Sequence, residues 1–566
     1  MMNVSFKKNN EEQLSLFSKI STLSERDMRF LKQSPMFKFG EVVFPKINEE
    51  RFAVLYSDHK FSRPNTPVNV IIGALIIKEM LGLTDEELFE SILFDVRLQY
   101  ALHTTNALEQ PFSDRTLSRF RERLAKYEMA TGIDLLKDEV VELSTEIAKC
   151  MNIKGDLKRM DSLMISAHCK KLSRLQLFYT TISDMVKLVF ENEKTGKKLI
   201  PKFEHYLSKE DMNNVVYRCK SEDTQSKLDK AVKDALRLKK LCADFQNTKE
   251  YQHLCRLIEE QVSFNDSKPK AKSGKEISPS SMQSPVDTDA TFRRKAGQNH
   301  IGYVGNVVET LGEDCSIITD FDYQPNTYSD NQFCKDVIEN IGKQDEKVTL
   351  IADGAYHSEE NTAKAKENNI ELIATALTGQ APAKEIANFE LSENKEKIVK
   401  CPLGKSPIKC THSDKAGTYR AVMERKYCAN CPYQGKCKVK FQKNTAVITI
   451  SEKTIARAKY LEKLSSEEYQ ELRKKRNGVE GIPSVMRRRY LVDQIPTYGK
   501  VRSKLWFTLK ICAINIVEYI KWVKSEQERR ELFQILANIL FIFDIFYWNL
   551  IFKIKFCQYR QLKIAF

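Results

Sequence analysis

The chain has 566 residues, of which 42% are hydrophobic and 10% aromatic, and its formal net charge is +15 at pH 7. Such a length predicts about three or four domains, and this apolar content excludes a wholly disordered chain. The positive charge favours a polyanionic partner, and the N-terminal MMNVSFKKNNEEQLSLF lacks the apolar core of a secretory signal. We therefore expect a cytoplasmic protein whose fourteen cysteines are buried thiols or metal ligands rather than disulfides.

Residues 1–150 are predicted to form an all-α domain. The stretch 66–102 carries apolar residues at helical spacing, and Gly82 interrupts it. Thr84 and Glu87 have the spacing of a capping box, in which each side chain accepts a hydrogen bond from the other's backbone. This spacing predicts that a new helix begins directly after Thr84.

A short basic helix is predicted within PFSDRTLSRFRERLAKYE, residues 111–128, where Ser113 or Asp114 can cap it. A helix pair followed by a basic, capped helix is typical of helix-turn-helix DNA readers. An ordinary amphipathic surface helix would give the same pattern. The basic residues that spread round the helix are Arg115, Arg119, Arg121 and Arg123, and the residues expected to face inward are Leu117, Phe120 and Leu124.

Strands that alternate with helices are predicted from residue 151 to 378, which indicates an α/β sheet with parallel members. A Lys-, Glu- and Leu-rich stretch from about 170 to 262 predicts a helical insertion. The Ser/Pro/Lys-rich residues 265–287 predict a linker or mobile loop. The predicted strands are 156–168, 300–311, 315–323, 347–356 and 370–377, and the predicted helices between them are 329–342 and 357–369.

Two aspartates on predicted strands are candidates for a metal site. Asp353 follows VTLIA, at the C-terminal end of a predicted buried strand, where ligands gather in open α/β sheets. The alternative for Asp353 is an ordinary Asp-Gly turn. Asp161 lies within RMDSLMIS, an apolar run in which a buried charge requires a cation, either Arg or metal. Asp156 and Asp289 are weaker candidates because neither lies in so apolar a run.

Glu480 is the one acid in RKKRNGVEGIPSVMRRRY, residues 473–490, among seven basic side chains. On a continuous helix Arg476 and Arg487 share its face, whereas Pro483 predicts a kink or a restart of the helix. Routine ion pairs on an exposed helix are the alternative. Three carboxylates, two on strands and one on a later helix, can bind two divalent ions, and Mg²⁺ prefers such oxygen ligands.

These segments resemble the DDE transposases of bacterial insertion sequences, in the group with an N-terminal helical domain and a ribonuclease-H-like catalytic core. The resemblance covers most of residues 40–525. It implies an enzyme that cuts the ends of its own mobile element and joins them to target DNA, using two Mg²⁺ or Mn²⁺ ions held by Asp161, Asp353 and Glu480. The segments that carry it are FSRPNTPVNVIIGALIIKEMLGLTDEELFESILFDVRLQYAL, FSDRTLSRFRER, RMDSLMISAH, VDTDATFRRK with HIGYVGNVVE, LIADGAYHSEEN and RNGVEGIPSVMRRRYLVDQIPTYGKVRSKLWFTLKICAINI.

The resemblance also implies DNA contacts and an assembly. Arg476, Glu480 and Arg487 fit the family's third signature, with Arg in place of its Lys, while Arg473 stands in place of its Tyr. A homodimer is expected in the synaptic complex, because two DNA ends must be brought together. A catalytically inactive, transposase-derived DNA-binding protein is the alternative. The residues expected to bind the terminal inverted repeats or target DNA are Arg115, Arg119, Arg476 and Arg487.

Cysteines concentrate in CPLGKSPIKC (401–410) and CANCPYQGKC (428–437). Four thiolates that include a Cys-x2-Cys pair are typical of tetrahedral structural zinc, with Cys410 and His412 as substitute ligands. Unmetallated thiols and an iron–sulfur cluster are the alternatives. A zinc-dependent nucleic-acid binder is therefore a second alternative function. The predicted zinc ligands are Cys401, Cys428, Cys431 and Cys437.

The tail contains LFQILANILFIFDIFYWNLIF (532–552), which approaches the length of a membrane span. Asp544 within it would cost about 3 kcal/mol in lipid, so we expect a core-packing or poorly constrained helix, without a membrane anchor, in a nucleoid-associated protein. The expected domains are a helical DNA-end-binding domain (1–150), the first part of the ribonuclease-H-like core (151–378), a cysteine-rich insertion (379–465), Glu-bearing helices of the core (466–525) and an apolar tail (526–566).

Overall fold

The protein is described by a computed structural model that covers the backbone of residues 6–9, 18–57, 65–106, 112–192, 202–265, 268–295, 297–374, 380–478 and 481–564. The side chains of residues 114, 265, 268, 476, 477, 533 and 535–564 lie outside this description.

Helices dominate the described part of the first 150 residues, as predicted. Gly82, with φ of 70°, ends the third of them, and Thr84 and Glu87 form the predicted capping box at the start of the fourth, so both predictions are confirmed. The third helix is buried on all sides, which its continuous apolar sequence explains. The helices are α1 (Glu25–Gln33), α2 (Pro35–Lys38), α3 (Val68–Leu81), α4 (Asp85–Phe94), α5 (Val96–Ala101), α6 (Asp114–Thr131) and α7 (Leu135–Cys150).

The basic helix predicted within residues 111–128 is α6. Ser113 is its N-cap residue, but the Ser113 hydroxyl makes no capping hydrogen bond and lies 3.2 Å from the Thr116 hydroxyl. Leu117, Phe120 and Leu124 are buried, which confirms the predicted inward face of the helix.

A mixed sheet forms the centre of the molecule. Its strands are β1 (Leu157–Ser166), β4 (Thr291–Lys295), β5 (Gln298–Leu311), β6 (Ser316–Pro325), β7 (Val348–Ala352) and β8 (Ile370–Ala374), and a separate hairpin is formed by β2 (Val262–Asn265) and β3 (Lys268–Ala271). The order is β6–β5–β1–β7–β8, with β4 pairing to the first part of β5. Strand β5 is antiparallel to β1 and β6, whereas β7 and β8 run parallel to β1. The predicted parallel members are confirmed.

A helical insertion follows β1, as predicted, and has its own hydrophobic core. The segment predicted as a linker or mobile loop is instead packed: it forms the β2–β3 hairpin, buries Met282 in the insertion core, and buries Asp287, which accepts a 2.6 Å hydrogen bond from the Tyr303 hydroxyl. Residues 273–280 of this segment are mostly exposed, so its polar composition is met partly by solvent and partly by contacts such as that of Asp287 with Tyr303. The helices of the insertion are α8 (Arg174–Glu191), α9 (Lys209–Met212), α10 (Thr224–Leu241) and α11 (Lys249–Gln261).

The two faces of the sheet are covered differently. One face packs against α12 (Asp330–Ile341) and α13 (Glu359–Glu367), which connect β6 to β7 and β7 to β8. The opposite face shares a single hydrophobic core with the N-terminal helices and with a long helix near the C-terminus. The N-terminal helices are therefore packed onto the sheet rather than separated from it.

The cysteine-rich region has a small core and a four-stranded sheet of order β11–β12–β14–β13. Its elements are β9 (Glu390–Leu391), β10 (Ile398–Lys400), β11 (Lys409–Ser413), β12 (Thr418–Glu424), α14 (Arg425–Ala429), β13 (Lys440–Phe441) and β14 (Thr445–Ser451). The following helices are α15 (Glu452–Lys463), α16 (Glu467–Asn477), α17 (Gly481–Arg488) and α18 (Lys500–Ile564).

The described backbone also contains short 3-10 and π turns. The 3-10 turns are Lys19–Thr22, Phe44–Lys46, Glu49–Leu55, Glu204–Leu207, Ser221–Asp223, Ala243–Phe245, Gly354–Tyr356, Lys384–Asn388 and Val492–Gln494, and the π turns are Phe39–Val43 and Asn213–Tyr217. Helix α18 contains the apolar segment 532–552, and among the described residues no helix is long and apolar enough to cross a membrane.

Candidate active site

Asp161 and Asp353 lie on neighbouring parallel strands at the same level. The paired residues of β1 and β7 end with Arg159 opposite Ile351, and each aspartate follows its paired residue by two positions. Parallel neighbours lie about 4.8 Å apart, so the two carboxylates leave the sheet side by side.

The two carboxylates also share a face of the sheet. Met160, Leu350 and Ala352 belong to the core beneath α12 and α13. Because side chains alternate along a strand, Asp161 and Asp353 point to the opposite face. The structure thus brings together two of the three predicted metal ligands.

Each aspartate side chain accepts a hydrogen bond from the backbone amide of the next residue. One Asp353 carboxylate oxygen accepts a 2.7 Å hydrogen bond from the Gly354 amide, and one of Asp161 accepts a 2.9 Å bond from the Ser162 amide. Both residues are half-buried, and Asp353 caps the short turn Gly354–Tyr356. Buried Tyr356 donates to the Asn306 side chain at 3.2 Å, and burial raises the pKa of Tyr356 well above its usual value, so it stays protonated.

The third predicted ligand, Glu480, lies outside the described residues. The helix before it, α16, crosses the face that carries Asp161 and Asp353. Tyr469 of α16 donates a 2.7 Å hydrogen bond to Glu371 on β8, and the Lys475 carbonyl near its C-terminus accepts a 2.5 Å bond from Arg159 on β1. The helix therefore ends over β1, two residues along that strand from Asp161.

The stretch from Arg473 to Arg487 contains parts of two helices, so the restart predicted from Pro483 is confirmed. Helix α16 ends at Asn477 and α17 begins at Gly481. Pro483 is the third residue of α17, where a helix has no intrahelical use for a backbone N–H, so it starts this helix rather than kinking it. The predicted alignment of Arg476 and Arg487 with Glu480 involves Glu480 and the side chain of Arg476, which lie outside the described residues.

Arg487 is already engaged within the protein. Its guanidinium donates to the Met164 carbonyl at 2.8 Å and pairs with Asp493 at 3.2 Å, while Asp493 also accepts from the Ser166 amide at 2.9 Å. These bonds dock α17 on the end of β1, and the side chain of Arg487 remains 44% exposed. The side chain of Arg476 lies outside the description.

The arginines of α6 divide into two kinds. Arg115 and Arg119 are exposed, and Arg119 lines a cavity of about 240 Å³ with Tyr56 and Arg123. Arg121 instead makes a bidentate ion pair with Asp85 at 2.7 and 2.8 Å. The exposed pair can therefore reach a partner, whereas Arg121 joins α6 to α4.

The four cysteines predicted to bind zinc line one cavity of about 290 Å³. Burial raises the pKa of Cys428, and it raises the pKa of Cys437 to about 11, so these thiols stay protonated without a cation. The substitutes are engaged elsewhere: the Cys410 sulfur accepts from the Ile398 amide at 3.3 Å, and His412 lies 2.9 Å from Asp414.

The described side chains fit divalent-metal binding only in part. Across the described parts of the chain, no three His, Cys, Asp or Glu side chains are grouped closely enough to hold a metal ion. This applies to the cysteine cavity as well as to the aspartates. The half-buried carboxylates of Asp161 and Asp353 are nevertheless hard oxygen donors of the kind that Mg²⁺ prefers, and Mg²⁺ takes few ligands from protein.

Sequence reasoning missed Arg159 and the anchors of α16. Alternation along β1 could have identified Arg159, because it lies two residues before Asp161 and so on the same face. Its partners could not have been identified, since Lys475 is 316 residues away in the sequence. The weaker candidates lie elsewhere: Asp156 is exposed, and Asp289 accepts a 2.9 Å bond from the Lys500 amide at the start of α18.

Comparison with known proteins gives two family matches. Residues 400–520 match a family described as "Transposase DDE domain", and residues 24–123 match one described as "Transposase domain (DUF772)". No curated protein matches the sequence. Among solved structures, the cryo-EM structure of a piggyBac transposase synaptic complex with hairpin DNA is similar with a TM-score of 0.28 and 9% identity, over 87% of this chain and 76% of that one.

Proposed function

We propose that the chain is a DDE transposase of an insertion sequence, which its two transposase domain matches support, and that it cleaves the ends of its own element and joins them to target DNA. The observation that carries this proposal is the placement of Asp161 and Asp353 side by side on one face of the sheet. Acidic side chains on neighbouring strands can share a divalent cation, since Mg²⁺ prefers carboxylate oxygens.

The catalytic core is proposed to be ribonuclease-H-like. The strand order supports this assignment: β1 is central, the antiparallel pair β5 and β6 lies on one side, and the parallel strands β7 and β8 lie on the other. Helices α12 and α13 make the crossovers that lead into the parallel strands. In open sheets with parallel strands, ligands gather at the carboxyl ends, and Asp353 follows the carboxyl end of β7.

Asp161, Asp353 and Glu480 are proposed to hold two Mg²⁺ or Mn²⁺ ions. When bound, such a pair of ions activates the attacking oxygen and stabilises the leaving oxygen of a phosphodiester. The protein would position these ligands: the backbone amides of Ser162 and Gly354 orient the side chains of the two aspartates. Helix α16 brings the chain to Gly478, two residues before Glu480, next to Arg159.

Basic residues are proposed to hold the DNA backbone. Exposed Arg115 and Arg119 on α6 would contact the terminal inverted repeats, and Arg476 with the exposed part of Arg487 would contact DNA near the aspartates. A homodimer in the synaptic complex is also proposed, because transposition requires two DNA ends to be brought together.

Structural zinc in the cysteine cavity is a separate proposal, supported by the convergence of Cys401, Cys428, Cys431 and Cys437. Metal analysis of the purified protein tests it: about one zinc per chain is expected, and Cys431→Ser should lose it. Full reactivity of all four thiols toward a thiol reagent in the native protein would contradict zinc binding.

An end-cleavage assay tests the enzyme function. Linear DNA that carries the inverted repeats flanking the gene is incubated with full-length protein and Mg²⁺. Wild-type protein should nick the ends and join them to a target plasmid, and Asp353→Ala should do neither while still binding the repeats. If wild type and variant both bind the repeats but neither nicks nor joins DNA, the inactive DNA-binding alternative is supported. Binding that chelation abolishes, without nicking, would favour the zinc-dependent binder.

A further inference from the structure

Arg159 is a buried arginine that joins three segments distant in sequence. Its side chain is 11% exposed, its Nε donates a 2.5 Å hydrogen bond to Glu309 on β5, and its Nη1 donates to the Lys475 carbonyl of α16. Glu309 is the direct cross-strand partner of Arg159 and also accepts a 2.8 Å bond from the Ser316 hydroxyl. The hydrogen bond to Glu309 therefore holds the guanidinium against the sheet, and a second donor of the same group contacts α16.

The bond to Lys475 satisfies a need of the helix end. Carbonyls in the last turn of an α-helix generally need a partner from outside the helix, and Lys475 lies in the last turn of α16. A cation at a helix C-terminus is also favoured by the helix dipole. Arg can meet Glu309 and the carbonyl together because its donors form a planar fork, which a lysine ammonium cannot replace.

Gly478 lies directly against the same guanidinium. A methyl group added at Gly478 would overlap Nη1 of Arg159 and lie 3.2 Å from its Cζ. Gly481, on the other side of Glu480, has nothing within 4 Å of the same added methyl group. The chain is therefore in close contact with Arg159 at Gly478, whereas the space next to Gly481 can accept a methyl group.

We infer that Arg159 is a positioning residue that seats the Glu480-bearing segment beside Asp161. Gly478 and Glu480 are two positions apart in the chain, a span of at most about 7 Å. Arg159 and Asp161 are likewise two positions apart on one face of β1, about 7 Å. The guanidinium therefore sets the start of this segment within reach of the aspartates. The inference rests on the proposed function, which assigns a metal ion to Glu480.

Mn²⁺ binding to the full-length, DNA-free protein tests this inference through the free-ion signal in electron paramagnetic resonance. Arg159→Lys and Gly478→Ala should each weaken Mn²⁺ binding about tenfold, as loss of a residue that orients a ligand does. Gly481→Ala is the matched control and should stay within about twofold, because its methyl group meets no atom. Glu480→Gln reports on the proposed ligand itself. Melting in EDTA identifies any variant that fails to fold, and Gly478→Ala tests the contact without altering Arg159.

The outcomes separate the two claims. Unchanged Mn²⁺ affinity in Arg159→Lys and Gly478→Ala, with weakened affinity in Glu480→Gln, would overturn the positioning role and leave the proposed function intact. Equal weakening in Gly478→Ala and Gly481→Ala would also overturn it, since any added methyl group near Glu480 would then suffice. Unchanged affinity in Glu480→Gln would remove the metal role of Glu480 and the inference with it. A variant that only melts lower, with unaltered affinity, counts against positioning.

Discussion

Asp161 and Asp353 leave adjacent parallel strands at one level and toward one face, each two residues beyond the last residues that pair, Arg159 and Ile351. Carboxylates on adjacent strands suit a divalent cation, because Mg²⁺ and Mn²⁺ prefer oxygen ligands. We therefore expect cation binding to stabilise the folded protein, an effect that is measurable without DNA.

Replacing Asp353 by asparagine should abolish most of the stabilisation by metal. Asp353→Asn keeps an oxygen for the Gly354 amide but removes one negative charge, so its melting temperature in EDTA should equal or exceed that of wild type. Wild type should gain about 2.7 kcal/mol at a Mn²⁺ concentration 100 times Kd, and the variant little. Cleavage should fall roughly 10³-fold or more. Differential scanning fluorimetry with and without MnCl₂ measures the stability effect.

Asp156→Asn is the control for that experiment, because Asp156 is exposed and precedes β1. It should respond to Mn²⁺ as wild type does. Equal stabilisation of Asp353→Asn and wild type by Mn²⁺ would exclude Asp353 as a ligand.

Two arginines of α6 should behave differently toward DNA. Arg119→Ala should weaken binding to terminal-repeat DNA and lower the slope of log K against log salt by about 1, the loss of one phosphate contact. Arg121→Ala should leave the slope unchanged but lower the melting temperature, because Arg121 pairs with Asp85 and lies 4.7 Å from the Trp506 ring. Salt titrations by fluorescence anisotropy distinguish the two; a slope unchanged in Arg119→Ala would remove α6 from the DNA contact.

Asn515 on α18 should be essential for stability. Its side chain accepts a 2.9 Å bond from the Ile318 amide and donates a 2.7 Å bond to the Ile318 carbonyl, on the outer edge of β6. Asn515→Leu would leave both buried peptide groups without partners, so we expect a loss of about 2–4 kcal/mol in the free energy of unfolding. Urea denaturation followed by circular dichroism measures this change.

Thr508, on the same helix, provides the matched control for Asn515. Its buried hydroxyl has no hydrogen-bond partner among the described residues, so Thr508→Val should be neutral or stabilising. If Asn515→Leu proved as mild as Thr508→Val, the side chain of Asn515 would not be what completes the edge of β6.

Glu139 should make stability fall as pH rises toward neutrality. Burial raises its pKa to about 7, although the Asn48 amide donates to it at 2.8 Å and Arg51 lies 3.0 Å away. Between about pH 5 and 7 the folded protein keeps this proton while the unfolded chain loses it. The free energy of unfolding should therefore decrease by up to about 1.4 kcal/mol per pH unit from this group.

Glu139→Gln should remove that contribution, and denaturation curves across this pH range measure it. Glu142→Gln is the control, because Glu142 pairs with the same Arg51 but its side chain is 58% exposed. A pH dependence identical in wild type and Glu139→Gln would contradict a carboxyl that remains protonated in the fold.

The sequence by itself determined the local structure and the identity of the candidate acids. Gly82 ends one helix and Thr84 with Glu87 starts the next, because both signals act through backbone groups within a few residues. The apolar runs around Asp161 and before Asp353 identified strands β1 and β7, since their side chains must be buried wherever the strands pair.

Only the tertiary structure decided the register of β1 against β7 and the contact of Arg159 with Lys475 and Gly478. The composition of the polar segment 265–287 likewise predicts a linker. In the structure part of this segment is packed, and Asp287 accepts a hydrogen bond from the Tyr303 hydroxyl. Each of these features depends on partners that folding brings together from distant parts of the chain, and composition or spacing within one segment carries no information about which partner it meets.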